Sequence, residues 1–387
     1  MVDHAERQFR SIFGRAPDVL VRAPGRINLI GEHVDYLGGL VMPAAIDRAI
    51  IAAAGPIAEP VVRVWTELSG QKGAPILISL DDLTPRQGSD SWQNYLIGVL
   101  AVMRDAGVKL PGFEVALTAD LPTGAGLSSS AALETATALI VEALTEVSQE
   151  PIKRALLCQK AEHDYAGVPC GIMDQLAVGA CVAGHALMID CRDLSLTPVP
   201  IPEGIAIVVA DSRVKHALGD GEYRKRREDC EAAATMLGVP ALRDATLAQV
   251  NAAAESLGDR LFRRARHAVT EIARVTEFAA SLSGEDFSSA GRLMRASHDS
   301  LRDDFEVSCP ELDALVEAAY DFGPERGLIG SRMTGGGFGG STVSLVREDA
   351  KDAFMEHLKI AFSKKFTHPA SFFTTRAADG ARILRPN

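Results

Sequence analysis

Hydrophobic and polar residues alternate, or apolar residues run together, in five short segments of the first 120 positions, and this pattern predicts β-strands. Turn-forming residues separate the segments, as expected for a sheet built from short strands. The predicted strands are VLVRA (19–23), GLVMPAAI (39–46), VVRVW (61–65), PILISL (75–80) and FEVALTA (113–119).

Apolar positions then recur at steps of three and four residues, which predicts amphipathic helices. One helix covers positions 92–107 and ends at Gly107, and another runs from about Ser128 to Val147. Pro151 suits the first turn of a third helix, and Gly167 suits its end.

The second half of the chain mixes the two patterns. Strands are predicted at HALMID (185–190) and GIAIVVAD (204–211), on either side of a proline-rich turn, TPVPIPEG. Helices dominate from 222 to about 320, and strands return at GSTVSLV (340–346) and PASFFTT (369–375). Because strands and helices interleave without regular βαβ alternation, the pattern predicts an α+β protein. We expect two domains, 1–200 and 201–387.

Composition narrows the possible partners and the compartment. The 387 residues carry a net charge of −11, which argues against binding of nucleic acid or an anionic membrane. The six cysteines form no C-x-x-C pair, and the charged start of the chain does not resemble a signal peptide. We therefore expect a cytoplasmic protein that acts on small molecules. We also expect the protein to be a monomer.

A glycine- and serine-rich segment, LPTGAGLSSSAALE (121–134), precedes the second predicted helix. Glycine lets the backbone approach a ligand closely, and the first N–H groups of a helix favour an anion. We interpret the segment as a phosphate-binding loop, with a simple serine helix cap as the alternative. It lacks the G-K-[ST] of a Walker A loop, so a metal ion and another residue must neutralise the phosphates.

Two acids flank a glycine- and proline-containing turn in AEHDYAGVPCGIMDQ (161–175). Glu162 could bind a metal, and Asp174 could serve a substrate hydroxyl, which together suit phosphoryl transfer. Solvated acids are the alternative. Asp174 lies in an otherwise apolar segment, however, where an unpaired acid is rare.

A third glycine-rich stretch, SRMTGGGFGGSTVSLV (331–346), matches the G-x-G-x-x-G spacing. A strand-like run follows it where a dinucleotide-binding loop requires a helix, so that interpretation is rejected. We expect a turn that approaches a ligand or another loop closely, or a purely structural hairpin.

The stretch GRINLIGEHVDYLGG (25–39) places one arginine, two acids and one histidine within ten residues. Carboxylates and an imidazole suit a ligand rich in hydroxyl groups, since each hydroxyl both donates and accepts. Arg26 cannot lose its charge and could offset charge developing on a phosphate. A hydrogen-bonded loop histidine and a surface ion pair are the alternatives for His33 and Arg26.

Taken together, these stretches resemble the galactokinase family of the GHMP small-molecule kinases over nearly the whole chain. GRINLIGEHVDY resembles the family signature, LPTGAGLSSSAALE the phosphate loop of the superfamily, and RMTGGGFGGSTVSLV its third motif. The resemblance implies a ribosomal protein S5 domain 2-like N-terminal unit, a ferredoxin-like C-terminal unit and an active site between them. It also implies ATP-dependent phosphorylation of the C1 hydroxyl of α-D-galactose, the first step of galactose catabolism, with Mg²⁺ as cofactor.

The resemblance assigns roles residue by residue. Asp174 would act as the catalytic acid-base residue and Arg26 as the transition-state stabiliser, while Ser130 and Glu162 would hold Mg²⁺. The sugar would contact Glu32, His33, Val34, Asp35, Gly171 and Tyr223. ATP would contact Gly124, Ala125, Gly126, Leu127, Ser128, Ser129 and Ser130 through its phosphates, and Trp92 and Tyr95 near its adenine.

Two alternatives remain open. The chain has Val34 and Leu37 where the family often has threonine and asparagine, so a related kinase for N-acetylgalactosamine or arabinose is possible. A catalytically silent sensor of galactose and ATP is the other alternative. The uninterrupted SSSAA run (128–132) argues against it, because some such sensors lack a Ser-Ala pair there.

Overall fold

A computed structural model describes residues 1–67, 73–122, 124–215 and 219–385. Its strands belong to three sheets of six, four and three strands. The strands are β1 (Val19–Asn28), β2 (Leu40–Val41), β3 (Pro43–Ile57), β4 (Val61–Thr66), β5 (Ile76–Ser79), β6 (Gly112–Ala119), β7 (His185–Asp190), β8 (Leu196–Pro200), β9 (Ile205–Lys215), β10 (Leu328–Thr334), β11 (Gly339–Arg347), β12 (Ser371–Thr375) and β13 (Arg382–Arg385).

The α-helices flank these sheets. Glycines in the left-handed conformation end several helical segments, as at Gly14 and Gly167. The helices are α1 (Val2–Phe13), α2 (Asn94–Asp105), α3 (Ser129–Thr145), α4 (Pro151–Ala161), α5 (Met173–Ala180), α6 (Gly219–Leu237), α7 (Leu247–Ala252), α8 (Ala254–Ser283), α9 (Phe287–Asp303), α10 (Pro310–Phe322) and α11 (Lys351–Lys365).

The six-stranded sheet has the order β13-β1-β3-β6-β4-β5. Side chains alternate between its two faces, so that Val19 and Val21 join the largest core while Leu20 packs on the other side with Phe9 of α1. Helices α2 and α3 cover the face of the largest core. Strand β1 therefore runs through the best-packed part of the molecule.

The four-stranded sheet has the order β10-β11-β9-β12. Val208 packs against α10 and α11, whereas Ile207 and Val209 face the largest core, which they share with β1. Helices α9 and α10 contact β10. The two larger sheets therefore pack around one common core.

The α+β prediction is confirmed, and most of the predicted strands and helices lie within a few residues of the observed ones. The strand predicted at 39–46 is an exception, because it is divided into β2 and β3 and β3 continues to Ile57. The prediction of a proline-rich turn at TPVPIPEG is partly wrong, because residues 196–200 form β8. This strand lies at the edge of the sheet β2-β7-β8, where a proline that cannot donate a hydrogen bond is tolerated.

The end of the described chain returns to the first sheet. Strand β13 pairs antiparallel with β1, matching Val21 with Ile383 and Arg22 with Arg382. The predicted C-terminal unit 201–387 thus contributes one strand to the N-terminal sheet, and the boundary near residue 200 stays a prediction. Within the described ranges, none of the helices combines the length and apolar character needed to cross a bilayer.

Candidate active site

A cleft of about 150 Å³ gathers residues from distant parts of the sequence. It lies where β1, the loop after it, the turn before α5, helix α6 and the turn between β10 and β11 meet. Eight of the predicted site residues line it, namely Arg26, Glu32, His33, Asp35, Glu162, Gly171, Asp174 and Tyr223.

Arg26 and Asp174 form a two-pronged ion pair in this cleft. Arg26 Nε lies 2.8 Å from Asp174 Oδ1, and Arg26 Nη2 lies 2.9 Å from Asp174 Oδ2. The register of β1 shifts between Pro24 and Arg26, and such irregularities redirect side chains. Burial opposes the charge of Arg26, but the carboxylates of Asp174 and Glu32 outweigh it and raise the pKa of the guanidinium. The guanidinium of Arg26 is therefore held in its charged form against both oxygens of Asp174.

The phosphate loop is attached to the same pair. Arg26 Nη1 donates to the carbonyl of Gly126 (2.5 Å), and Ser128 Oγ donates to Asp174 Oδ2 (2.5 Å). Gly124, Gly126 and Ser128 have left-handed backbones, with φ between 57° and 74°. The alternative interpretation, a simple serine helix cap, does not hold for Ser128, because its side chain makes no cap hydrogen bond and binds Asp174 instead.

The third glycine-rich stretch supports both loops, as the close-approach interpretation predicted. Ser341 Oγ donates to the carbonyl of Ala125 (2.7 Å). Gly335 donates its N–H to Glu32, and a β-carbon on Gly335 would lie 2.9 Å from the carbonyl oxygen of Gly126. Only glycine fits at this point, between the phosphate loop and the predicted sugar loop (residues 31–35).

Aromatic rings enclose the predicted sugar loop. His33 Nε2 lies 3.0 Å from the carbonyl oxygen of Gly336, and His33 Nδ1 lies 3.2 Å from Tyr36 Oη. Tyr223, on α6, has its ring centroid 5.2 Å from that of His33 and 5.2 Å from that of Tyr36. Burial lowers the pKa of His33 to about 4, so the imidazole is neutral at pH 7.

Asp35 sits against the backbone of Gly171. A β-carbon on Gly171 would lie 1.9 Å from Asp35 Oδ2, so a side chain here would displace the carboxylate. Burial, together with the charge of Asp174, raises the pKa of Asp35 to about 7. Glycine at position 171 is required by the neighbouring acid.

Glu32 is buried and held from several sides. Asn28 donates to one carboxylate oxygen and the Gly335 N–H to the other. Arg332, which has no exposed side chain, places Nη1 3.9 Å from Glu32 Oε1. Burial raises the pKa of Glu32, while Arg332 and Arg26 oppose the rise.

Glu162 and Ser130 meet beside Asp174. The Ser130 side chain hydrogen-bonds to the Glu162 carboxyl, and Gln175 Nε2 donates to Glu162 Oε2 (2.7 Å). Burial and the nearby charge of Asp174 raise the pKa of Glu162 to about 7. A bound cation would neutralise this buried charge, and oxygen donors suit Mg²⁺, which needs only one or two protein ligands beside phosphate. The residues present fit Mg²⁺.

Some residues that were predicted to contact the sugar or ATP do not line the cleft. The side chain of Val34 is fully buried in a core cluster with Leu37, and neither lines the cleft. The positions at which the chain departs from the family pattern therefore pack in the interior. Trp92 and Tyr95 are half-buried against the largest core near α2, and their contact with adenine stays a prediction.

Two residues beside Glu162 were not identified as site residues from the sequence. Gln175 bridges Glu162 and Glu134, which is completely buried on α3. Glu134 follows Ser130 by four residues and so shares its helical face, a spacing that could have revealed it. Gln175 carries no local signal beyond its place next to Asp174.

The same segments match known family models. The galactokinase galactose-binding signature matches residues 7–56, the GHMP kinases N-terminal domain matches 94–184 and the C-terminal domain matches 275–364. The galactokinase of Homo sapiens is 43% identical over 99% of this chain and 97% of its own length. The chain belongs to the galactokinase family. The galactokinase of Streptomyces coelicolor, 44% identical over 97% of both chains, is another relative.

Solved structures agree with this family assignment. The crystal structure of Lactococcus lactis galactokinase complexed with galactose has a TM-score of 0.93 and 33% identity, covering 99% of each chain. A Methanococcus jannaschii mevalonate kinase has a TM-score of 0.67 at 17% identity, which shows the shared fold alone. The two-domain GHMP kinase fold expected from the sequence motifs is thus confirmed.

Proposed function

We propose that this protein is a galactokinase that transfers the γ-phosphoryl group of ATP to the C1 hydroxyl of α-D-galactose. The products are α-D-galactose 1-phosphate and ADP. The observation that carries the proposal is the Arg26–Asp174 pair, which lies between the loop of Glu32 to Asp35 and the phosphate loop. Family membership supports the same reaction.

Asp174 is the group that orients the C1 hydroxyl and receives its proton. The hydroxyl oxygen bonds to the γ-phosphorus as the bond from phosphorus to the bridging oxygen of ADP breaks. Arg26 stays charged and can share its N–H donors with the transferring phosphoryl group. Arg26 also binds both oxygens of Asp174, which holds the carboxylate in place for the hydroxyl.

The phosphate loop binds the nucleotide through its backbone in this proposal. Its left-handed residues open N–H groups toward a ligand, and the N-terminus of α3 adds its dipole. Ser130 and Glu162 would hold Mg²⁺, which neutralises phosphate charge when bound. A Glu162→Ala variant should need more Mg²⁺ to reach half of its maximal rate, and an unchanged titration would contradict that role.

The sugar specificity is tested by a coupled ADP-release assay with Mg·ATP and a panel of monosaccharides. Galactose should give the highest kcat/KM, because a site built to pair with each hydroxyl rejects sugars that lack one. A higher value for N-acetylgalactosamine or arabinose would make the protein a kinase for that sugar. Tight binding of galactose and ATP with no release of ADP would indicate a sensor.

We propose that the protein is located in the cytoplasm and is a monomer. All six cysteines are unpaired, which is typical of reducing compartments. Size-exclusion chromatography with light scattering tests the monomer, and a mass of twice 41.2 kDa would contradict it.

A further inference from the structure

Helix α8 holds the backbone of the sugar loop through two side chains that do not line the cleft. Glu271 Oε1 accepts hydrogen bonds from the N–H of Gly31 (2.8 Å) and of Glu32 (3.2 Å). His267 Nε2 lies 3.2 Å from the carbonyl oxygen of Glu32. The N–H and the C=O of Glu32 are therefore both bound by residues of one helix.

The two helical residues are built for this contact. Their separation by four positions places them on one face of α8, and neither has an exposed side chain. Two successive backbone N–H groups form a concave site that attracts an anion, and here the anion is the protein's own carboxylate. The hydrogen bonds are charge-assisted and thus stronger than those between neutral groups.

The carboxylate of Glu271 is itself fixed. Ser297 Oγ donates to its Oε1 (2.7 Å), and Arg274 Nε donates to its Oε2 (2.8 Å). Arg332 lies 3.8 Å from Glu271 and 3.9 Å from the carboxylate of Glu32, which joins the two acids across one buried cation. A shift of Glu271 would therefore also disturb the charge balance around Glu32.

His267 is fixed in one tautomer. Burial lowers its pKa to about 3, so the ring is neutral. The carbonyl of Glu32 can only accept, so Nε2 carries the proton, and Nδ1 accepts from Ser300 Oγ at 2.9 Å. The histidine is thereby a directed donor to the loop.

The loop needs such support, because its backbone is not relaxed. His33 has a φ of 59°, and a non-glycine residue in the left-handed region is held there only by its surroundings. We infer that Glu271 and His267 are positioning residues that fix the sugar-binding loop, and so determine affinity for the sugar without touching it. The inference rests on the proposed function in that this loop binds the sugar.

The test compares paired variants of the full chain. Glu271→Gln keeps an oxygen for the loop amides but loses the charge, whereas Glu271→Leu removes the acceptor. His267→Gln keeps an N–H donor, and His267→Leu removes it. Glu142→Gln is the matched control, because Glu142 is a buried carboxylate paired with Arg154 at 2.7 and 2.8 Å, away from the loop.

Three quantities are measured for each variant, namely the KM for galactose, the KM for ATP and hydrogen exchange at Gly31 and Glu32. The leucine variants should raise the galactose KM by about tenfold or more and leave the ATP KM within about twofold, the size expected when charge-assisted hydrogen bonds are lost. The glutamine variants should lie between these and the parent. Exchange of the two loop amides should accelerate in both Glu271 variants and stay unchanged in Glu142→Gln.

The inference is overturned if the galactose KM is unchanged in Glu271→Gln and His267→Leu, or if both KM values rise together as general destabilisation would cause. Should either leucine variant fail to fold, the galactose KM of Glu271→Gln and the exchange of its loop amides decide the matter. If the parent protein phosphorylates no galactose, the proposed function fails, while the exchange measurement still decides whether α8 holds the loop.

Discussion

Asp174 is bound through both carboxylate oxygens by groups that only a carboxylate can satisfy together. Asp174→Asn keeps the size of the side chain but turns an NH₂ group toward Arg26 or Ser128, and it removes the proton acceptor. We expect kcat to fall by about 10²- to 10⁴-fold, the usual contribution of a general base. ATP affinity, measured by calorimetry, should stay within about twofold of the parent because the phosphate-loop backbone is intact. A kcat equal to that of the parent would remove Asp174 from the mechanism.

Asp35 should make the stability of the folded protein depend on pH, in a direction set by the burial of its carboxyl group. Its pKa is about 7 in the folded protein, above its ordinary value of 3.8, so only the folded state binds the proton between these values. Stability from protonated Asp35 is complete below about pH 4 and is lost as the pH rises through about 7. Asp35→Asn, which cannot ionise, should therefore gain thermal stability relative to the sugar-free parent from about pH 5 to about pH 8. A difference in Tm that stays constant over this range would contradict the prediction.

Single residues also show where sequence reasoning stops. The sequence could predict that Arg26, Glu162 and Asp174 belong to one site, because charged residues beside glycine-rich turns are recognisable in the local sequence. The role of Glu271 could not, since it lies on a helix with many charged residues and only the fold shows that its side chain is buried. Valine at position 34, where the family often has threonine, was expected to contact the sugar. Its side chain instead packs in a core cluster.

At the scale of elements, the turn between β10 and β11 supports the phosphate loop. Ser341→Ala would leave the carbonyl of Ala125 without its partner, at a cost of about 1 kcal/mol or more. We expect the ATP KM to rise by about fivefold, with little change in the galactose KM, in steady-state kinetics. Ser344→Ala is the control, because the Ser344 hydroxyl donates to Ser331 Oγ within the same sheet. Equal effects of the two substitutions would show that the strand, and not the contact with the loop, matters.

The elements themselves were largely predictable where local patterns are strong. Segment 19–28 alternates between two packed faces, and α2 and α3 follow helical periodicity. Strand β8 was missed because prolines usually mark turns, and only its edge position permits them. Strand β13 has four residues, and its identity depends on pairing with a strand from the other end of the sequence.

At the scale of the whole molecule, β13 ties the end of the described chain to the first sheet. Ending the chain at Ala381 would remove its pairing with β1 and the packing of Ile383 and Leu384. We expect calorimetry to show a Tm lower by roughly 5 °C or more, while kcat at low temperature is retained. Arg382→Ala removes an exposed ion pair with Asp379 and should change the Tm by less than about 1 °C. An unaltered Tm in the shortened chain would mean that β13 contributes no stability.

Pairing between β1 and β13 also has a consequence for synthesis on the ribosome. Strand β1 emerges early, but its neighbour on one side is translated only after nearly all of the remaining chain. During elongation that edge of the sheet has unpaired backbone groups, the kind of surface that attracts other strands. That edge of β1 therefore stays open to non-native pairing until residues 382–385 have been synthesised and can cover it.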